Sequence, residues 1–322
     1  MDESQWLKHK LLNIIQSLLL VIAMTVILGL LGWLIGGGIM AFYAIALVVA
    51  IYLFNPIVSP HLILRMYRTQ KITYSHAPNL HSILRTLAKR ANLPKVPQLV
   101  YLPSDMMNAF AVGRPKNAVI ALSDGLLRRL SLREISGVLA HEMSHIYHDD
   151  MRIMGFADIT SRLTRFLSLI GYFLLLLNLP LLLFDLYIIS WSAIFLLILA
   201  PIITDLLQLA LSRTREYYAD LGAAQLLGDP EALALALIKM ERYQGHILEQ
   251  IFWPRRYSPE PSLLRTHPPV KERVRRLLNL REPYRTKDMV WEGLPLLADW
   301  PLSAFISYAP LQPRWHFSGI WF

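Results

Sequence analysis

The sequence contains no cysteine and few charged residues. Of its 322 residues, 17% are charged and 54% are hydrophobic. The absence of cysteine excludes disulfides, cysteine-bound zinc and thiol nucleophiles, so any bound metal must have His, Asp or Glu ligands. Soluble domains carry about 25% charged residues. The shortage of charge therefore indicates a membrane protein before any motif is considered.

The charged residues that are present give a net charge of +9. In a soluble protein such an excess would suggest nucleic-acid binding. The sequence has no nucleic-acid-binding motif, however, and Lys and Arg also accumulate where membrane helices end on the cytoplasmic side. We therefore expect the lipid bilayer as a partner, and no nucleic acid.

A first long apolar run predicts a transmembrane hairpin near the N-terminus. No Asp, Glu, Lys or Arg occurs between Leu11 and Leu64, and this length is more than twice the roughly 20 residues that one spanning helix needs. We expect helices over about 11–34 and 38–56, with a turn at the glycines 36–38. The run is too long for the apolar part of a signal peptide, which has about 7–15 residues.

A second apolar block, 166–212, contains only Asp185 and Asp205 as charges. We expect two further spans in this block, over about 166–183 and 187–209, separated by a tight turn. A buried core hairpin is the alternative interpretation, and two consecutive apolar runs of this length make it the weaker one.

Lysine and arginine lie beside the outer ends of these predicted spans, and neither hairpin tip carries one. The flanking residues are Lys8, Lys10, Arg65, Arg68, Lys71, Arg162, Arg165, Arg213 and Arg215. Positive residues stay on the cytoplasmic side of a membrane. We therefore expect a multi-pass protein of the inner (plasma) membrane, with both termini and the segments 61–165 and 210–322 in the cytoplasm.

Residues 140–150 read AHEMSHIYHDD and hold three of the ten histidines of the chain. Upstream, Ser131 followed three residues later by Glu134 is the signature of a capping box, so a helix should begin there. On that helix His141 and His145 lie one turn apart on the same face. Two imidazoles at this spacing can bind one zinc ion.

Glu142 lies next to the first of these histidines and points in a different direction from the candidate ligands. Zinc lowers the pKa of a bound water toward about 7 and polarises a scissile carbonyl. A glutamate beside the ion can take the proton from the attacking water and pass it to the leaving amine. A solvated helix face with scattered histidines is the competing interpretation.

A zinc site of this kind needs a third protein ligand. His148 is the nearest candidate, but three ligands from one straight helix would crowd the metal, so we expect a structural role for it. Glu216 is a better candidate, because it lies in SRTREYYAD (212–220) one turn before Asp220 and one turn after Arg213. Asp220 could accept the second ring N–H of a ligand histidine. An ordinary ion-pair face of a helix explains this spacing equally well.

The order HEMSH, apolar hairpin, SRTREYYAD resembles the HtpX-like membrane zinc metalloproteases, relatives of the CAAX prenyl endoprotease. Two further stretches are similar to elements of that family. They are the NAFA stretch Asn108, Ala109, Phe110 and Ala111, and the stretch Thr266, His267, Pro268 and Pro269, followed by Arg273. The resemblance covers about residues 5–280 and leaves out a tail rich in Pro and Trp.

The resemblance implies one zinc ion per subunit, bound by His141, His145 and Glu216, with Glu142 as the catalytic base. It implies a metalloendopeptidase that cleaves misfolded or damaged membrane proteins in quality control, so the partners would be unfolded membrane-protein segments. The expected fold is mainly α with a small β-sheet. It is that of a multi-pass α-helical membrane protein with a zincin-like cytoplasmic catalytic domain.

The chain then divides into five predicted parts. These are an N-terminal transmembrane hairpin (1–60), the first part of the catalytic domain (61–165), a second transmembrane hairpin (166–210), the second part of the catalytic domain (211–282) and a tail of unknown role (283–322).

Three short strands are predicted over 97–102, 107–113 and 118–123, with a turn at 114–117 between the last two. The NAFA stretch would then lie on a sheet edge near the HEMSH helix. An extended substrate could pair with the backbone of such an edge. An ordinary hairpin without a substrate-binding role is the alternative.

Other residues could support the site. Asp220 and Arg213 are predicted to lie behind the ligands. His267 precedes two prolines that suit a helix start, and it could donate a hydrogen bond to the oxyanion of the tetrahedral intermediate. A helix-capping or core histidine is equally compatible with its position. Arg273 is either a structural anchor or a residue near the site.

Two other functions fit parts of the sequence. A site-2-type intramembrane protease buries its HExxH motif within a span, whereas the helix that carries His141 and Glu142 is rich in charged residues. A non-catalytic membrane adaptor or holdase would bind unfolded segments without cleaving them. Zinc binding alone, however, does not need Glu142.

Overall fold

A computed structural model describes residues 3–54, 67–181, 190–252 and 268–280. The helices are α1 (Glu3–Phe54), α2 (Pro78–Arg90), α3 (Asp124–Arg129), α4 (Leu132–Tyr147), α5 (Asp150–Leu181), α6 (Trp191–Leu227), α7 (Pro230–Phe252) and α8 (Val270–Asn279). The strands are β1 (Gln70–Lys71), β2 (Gln98–Leu102), β3 (Ala109–Val112) and β4 (Val119–Ser123). The predicted mainly α fold with a small β-sheet is confirmed.

The long helix α1 is interrupted in its middle. Gly36 and Gly37 leave helical geometry, and Gly37 has a φ of 68°, in the left-handed region that glycine adopts without steric cost. The interruption falls within the glycine run for which the sequence predicts a turn. Before it, Ile14–Leu34 is long and apolar enough to cross a membrane, and after it Gly36–Ala50 is a shorter apolar helix.

The helices α5 and α6 are also long and apolar enough to cross a membrane. They pack against each other and against α1. Met24, Leu28, Phe156 and Leu197 belong to the apolar core that these helices share. The predicted turn between α5 and α6 falls at 182–189, outside the described residues.

Both helices extend beyond the spans predicted for them. The helix α5 already begins at Asp150, a few residues after the HEMSH motif, and α6 continues to Leu227. It ends there because Gly228 takes a left-handed conformation with a φ of 74°, a common helix terminus. The polar ends of α5 and α6 are therefore continuous with their apolar parts.

The strands form a mixed sheet in the order β1, β2, β4, β3. The strand β2 runs parallel to β4, and β3 pairs antiparallel with β4. The strands β2, β3 and β4 lie within the three predicted strands, whereas β1 was not predicted because its two residues are too few to show an alternating pattern. The strand β3 forms one edge of the sheet and contacts α4.

One face of α2 is apolar and is buried in a core that joins the sheet to α4. Leu80, Ile83, Leu84 and Leu87 of this face are at most 2% exposed. They share the core with residues of β4, α4 and α7, among them Ile120, Leu122, Ile135, Leu139, Ala232 and Leu233. Burying one such side chain contributes about 1.5–3 kcal/mol, so this core fixes the position of α4 firmly.

The helix α4 carries the HEMSH motif, and its predicted start is confirmed. Ser131 Oγ accepts a hydrogen bond from Glu134 N, and Ser131 N donates to Glu134 Oε2 at 2.8 Å. The helix α6 packs closely against α4. Gly222 of α6 lies directly against the side chain of Ser144 of α4, and a Cβ at position 222 would clash with it. This close approach of α6 brings SRTREYYAD next to HEMSH.

Candidate metal centre

The imidazoles of His141 and His145 face each other on α4. Their Nε2 atoms are 3.1 Å apart, and both side chains are buried. Two nitrogen ligands at about 2.0–2.1 Å from a tetrahedral zinc ion would be about 3.3 Å apart. The two rings therefore lie where a single ion could bind both.

Glu216 brings a carboxylate to the same point from α6. Its Oε2 is 3.5 Å from His141 Nε2, and its Oε1 is 3.8 Å from His145 Nε2. One ligand atom from each of these three buried residues lies within 4.8 Å of the others. Two imidazoles and a carboxylate from two helices leave a fourth position open, as catalytic metal sites require. The residues present therefore fit a divalent metal ion.

Asp220 lies behind His141. Its Oδ1 is 3.1 Å from His141 Nδ1, on the side from which a carboxylate orients a metal-binding imidazole. His141 Nδ1 is buried, and among the described residues no acceptor meets the angular requirements of a hydrogen bond to it. Arg273 of α8 holds the carboxylate with two hydrogen bonds, from Nε at 2.8 Å and from Nη2 at 2.6 Å.

Arg273 also contacts Glu216, the predicted third ligand. Its Nη1 is 3.0 Å from Glu216 Oε2, and its Nη2 is 3.5 Å from His141 Nε2. Burial opposes the charge of this guanidinium, but the adjacent carboxylates of Asp220 and Glu216 outweigh burial and hold the pKa of Arg273 above its usual range. One permanent positive charge therefore lies between two buried carboxylates, directly at the site.

His145 has a different pair of supporting residues, which the sequence analysis missed. Asp150 Oδ2 lies 2.7 Å from His145 Nδ1, in a buried hydrogen bond. The other oxygen of Asp150 accepts a hydrogen bond from Arg215. Spacing gave no signal for Asp150, because α4 ends before it and Asp149 turns the chain with a φ of 52°.

The remaining residues near HEMSH have different surroundings. Glu142 is buried on α4 at 8% exposure. His148 is directed at its own helix, with its Nδ1 2.8 Å from the Ser144 carbonyl oxygen, and its ring contacts Tyr218. This is the structural environment expected for His148. Arg213 is half-buried on α6, and its supporting role stays a prediction.

The two histidines have opposite pKa shifts in the protein without metal. Burial lowers the pKa of His141, but its contacts with Asp220 and Glu216 outweigh burial and raise the pKa to about 9. For His145, burial and the nearby charge of His141 lower the pKa to about 4. A metal ion entering the site must therefore displace a proton from His141.

The NAFA stretch overlaps β3, an edge strand of the sheet among the described residues. Asn108 O accepts a hydrogen bond from Ser123 N, and Asn108 N donates to Ser123 Oγ at 2.8 Å. In an antiparallel pair, the N–H and C=O groups of successive residues point alternately toward and away from the neighbouring strand. The main-chain groups of Phe110 therefore point toward β4, and those of Ala109 and Ala111 point away from it. His267, the other predicted substrate-side residue, lies outside the described residues.

Comparison with known proteins gives consistent matches. The model of peptidase family M48 matches residues 75–281, the region from α2 to α8. A protease HtpX homolog of Desulfatibacillum aliphaticivorans is 34% identical over 298 residues, with 84% of this chain and 90% of the relative covered. The protease HtpX homologs of Burkholderia multivorans and Methylibium petroleiphilum are 34% and 35% identical, each with 83% of this chain and 97% of the relative covered.

Among solved structures, the crystal structure of S. mikatae Ste24p matches with a TM-score of 0.48 and 21% identity, covering 84% of this chain and 66% of that one. The family match contains α4 and α6, and with them all three candidate ligands. Because the M48 model matches more than half of the chain and the relatives are matched over most of their length, the chain belongs to peptidase family M48 and is an HtpX-like membrane metalloprotease.

Proposed function

We propose that this metalloprotease is a zinc endopeptidase in which His141, His145 and Glu216 bind the ion. The observation that carries the proposal is the convergence of these three buried donors within 4.8 Å. Two imidazoles and one carboxylate are the ligand set of several catalytic zinc sites. The chain has no cysteine, so the thiolate ligands of structural zinc sites are excluded.

Glu142 is the general base in this proposal. A zinc ion bound at the site would polarise the scissile carbonyl and lower the pKa of a coordinated water. Glu142 follows His141 directly on α4, so its carboxylate lies beside the ligands rather than among them. From there it can take a proton from water and give it to the leaving amine. His267 is proposed as an additional donor to the oxyanion.

Unfolded segments of membrane proteins are the proposed substrates. The outward main-chain groups of Ala109 and Ala111 can pair with an extended segment without selecting its side chains. The strand β3 contacts α4, so a segment paired to this edge would pass close to the site. Such binding suits the removal of misfolded or damaged membrane proteins.

The proposed location is the inner membrane, with the metal centre on the cytoplasmic side. The helices α5 and α6 are apolar enough to span a membrane, and the candidate ligand Glu216 lies on the polar end of α6. Lys and Arg flank the same ends of the spans, where the positive-inside rule places the cytoplasm.

Metal analysis and casein cleavage of Glu142→Gln test this function. The wild type and the variant are purified in detergent and loaded with zinc under the same conditions. We expect equal zinc content, with cleavage reduced by about 100-fold or more in the variant, since general bases contribute about 10²–10⁴-fold. A non-catalytic adaptor would show no cleavage by either protein, and equal cleavage by both would remove Glu142 from the mechanism.

Glu216→Ala tests the third ligand separately. Loss of one of three protein ligands should reduce zinc occupancy sharply, and self-cleavage during purification should stop. Glu216→Asp is the matched variant, because it keeps the charge and shortens the side chain by one methylene. Full zinc occupancy in Glu216→Ala would assign the ligand role to Asp220 or His148 instead.

A further inference from the structure

Each of the two candidate ligand histidines has its own carboxylate and its own guanidinium. Behind His141 these are Asp220 and Arg273, and behind His145 they are Asp150 and Arg215. The second pair has no assigned role in the chemistry described above. It is nevertheless more deeply buried than most charged groups that the structure describes, because the Asp150 and Arg215 side chains are 1% and 6% exposed.

We propose that Asp150 and Arg215 are positioning residues for His145. This proposal rests on the proposed function, because it takes His145 to be a metal ligand. Asp150 accepts the N–H of His145 Nδ1, so the ring keeps its Nε2 without a proton and directed at Glu216 and His141. Arg215 holds the second oxygen of Asp150 and so fixes the direction of the carboxylate.

The burial of this ion pair supports a role beyond stability. Removing two charges from water is unfavourable, and apolar residues often stabilise a fold as well as a buried ion pair does. The guanidinium of Arg215 lies 5.0 Å from the ring centre of Tyr218, and its Nε has no hydrogen-bond partner among the described residues. Asp150 is therefore the main polar contact that this buried cation makes there.

The position of the pair in the fold gives it a second consequence. Asp150 is the first residue of α5, and Arg215 lies in the polar part of α6, next to Glu216. These two helices carry the apolar stretches that we propose cross the membrane. His145 is thus oriented by the hairpin of α5 and α6, whereas His141 is oriented partly by α8. A correct metal site requires both to be in place.

The same two helices provide a matched control. Arg165 of α5 and Asp205 of α6 form an ion pair of 2.9 Å, with side chains 60% and 39% exposed. This pair joins the same helices as Asp150 and Arg215 but lies far along both helices from His145. A loss of helix–helix attraction alone would affect both pairs, whereas a loss of ligand positioning affects only the first.

Cobalt binding to the full-length protein in detergent tests the proposal. Metal-free wild type, Asp150→Asn and Asp205→Asn are titrated with Co²⁺ against a competing chelator, and the visible absorption of the bound ion is recorded. Replacing a residue that orients a metal-binding histidine typically lowers the metal affinity by about 10- to 100-fold. We expect that loss and an altered cobalt spectrum for Asp150→Asn, with wild-type behaviour for Asp205→Asn.

Arg215→Met, alone and combined with Asp150→Asn, extends the test. If Arg215 acts through Asp150, the double variant should bind cobalt no more weakly than the weaker single variant, because coupled residues are not additive. Wild-type affinity and spectrum in Asp150→Asn would overturn the proposal, as would equal losses in Asp150→Asn and Asp205→Asn. His145→Ala separates the two claims: undiminished cobalt binding there would contradict the proposed ligand set itself.

Discussion

His141 and His145 lie one turn apart on the same helix face, yet their supporting groups come from different regions of the molecule. Asp220 and Arg273 lie behind His141, and Arg273 belongs to α8, near the end of the described chain. The support of His145 comes from Asp150 at the start of α5 and from Arg215 in the polar part of α6. The local HExxH motif therefore sets where the two rings are, and other helices set how each ring is held.

The two sides also differ in charge. Behind His141, one guanidinium contacts the carboxylates of both Asp220 and Glu216. Behind His145, the guanidinium of Arg215 pairs with Asp150. The contacts of His141 with Asp220 and Glu216 outweigh burial and raise its pKa, whereas burial and the nearby charge of His141 lower the pKa of His145.

The largest expected effect is on stability, when the two arginines are compared. Arg273→Met leaves two buried carboxylates without their counter-charge, and breaking a buried ion pair costs about 3–5 kcal/mol. Arg215→Met leaves only the Asp150 carboxylate without its counter-charge, so it should lower the free energy of unfolding by less. The free energy of unfolding of both metal-free variants in detergent is the measurement. Equal losses, or a larger loss for Arg215→Met, would contradict the charge comparison.

A pH titration of the metal-free protein compares the two histidines directly. The pKa of His141 is raised to about 9, so its stabilising contribution is complete below the unfolded pKa of about 6.5 and is lost as pH rises through 9. The pKa of His145 is lowered to about 4, so its contribution is present above about 6.5 and is lost as pH falls through 4.

The free energy of unfolding of the metal-free protein should therefore be greatest near pH 6.5. The loss of the His141 contribution should lower it by about 3 kcal/mol toward alkaline pH, and the loss of the His145 contribution should lower it by about 3 kcal/mol toward acid pH. Saturating zinc should remove the alkaline loss, since the ion binds the neutral imidazoles and replaces the proton of His141. Unfolding temperatures from pH 4 to 10, with and without zinc, test this. If zinc did not change the loss of stability at alkaline pH, that loss would come from groups other than His141.

Asp220→Asn sharpens the comparison on the His141 side. The amide keeps the size of the carboxylate but lacks its charge, so zinc affinity should fall by about 10- to 100-fold. Chelator competition measures this change, and Asp229→Asn is a control, because Asp229 is a buried carboxylate that pairs with Arg133 away from the site. An unchanged affinity in Asp220→Asn would leave His141 without a functional partner.

The smallest expected effect concerns the turn between α4 and α5. Asp149 has a φ of 52°, and its Oδ1 is buried without a hydrogen-bond partner among the described residues. Asp149→Gly should raise the free energy of unfolding by about 1 kcal/mol, because it removes the left-handed strain. Asn92→Gly, at a φ of 49°, should be nearly neutral, since asparagine adopts this conformation more readily. Destabilisation by Asp149→Gly would show that its carboxylate is needed.

The sequence predicted the local parts of this arrangement well. Ser131 and Glu134 defined the start of α4, and helical spacing put His141 and His145 on one face, because both features depend on a few neighbouring residues. The close approach of Glu216 followed from the family resemblance, since spacing alone left an ion-pair face equally plausible. The structure then brings this carboxylate to the two rings.

The contacts that sequence reasoning missed are those that cross a chain reversal or a long separation. Asp150 follows a left-handed residue, so helical periodicity could not place it beside His145. Arg215 adjoins Glu216 on α6 but contacts Asp150 of α5, whereas helical spacing favoured Arg213 as the supporting residue. Arg273, which reaches the site from α8, was only partly anticipated: the family resemblance singled it out but left its role open, because no periodic pattern connects that helix to α4 or α6.

The most direct test of the central claim is a crystal structure of the zinc-loaded protein with anomalous scattering measured at the zinc absorption edge. We predict one strong peak per chain, about 2.0–2.2 Å from His141 Nε2, His145 Nε2 and one oxygen of Glu216. A peak bound by other residues, or no peak between α4 and α6 in fully active protein, would contradict the proposed site.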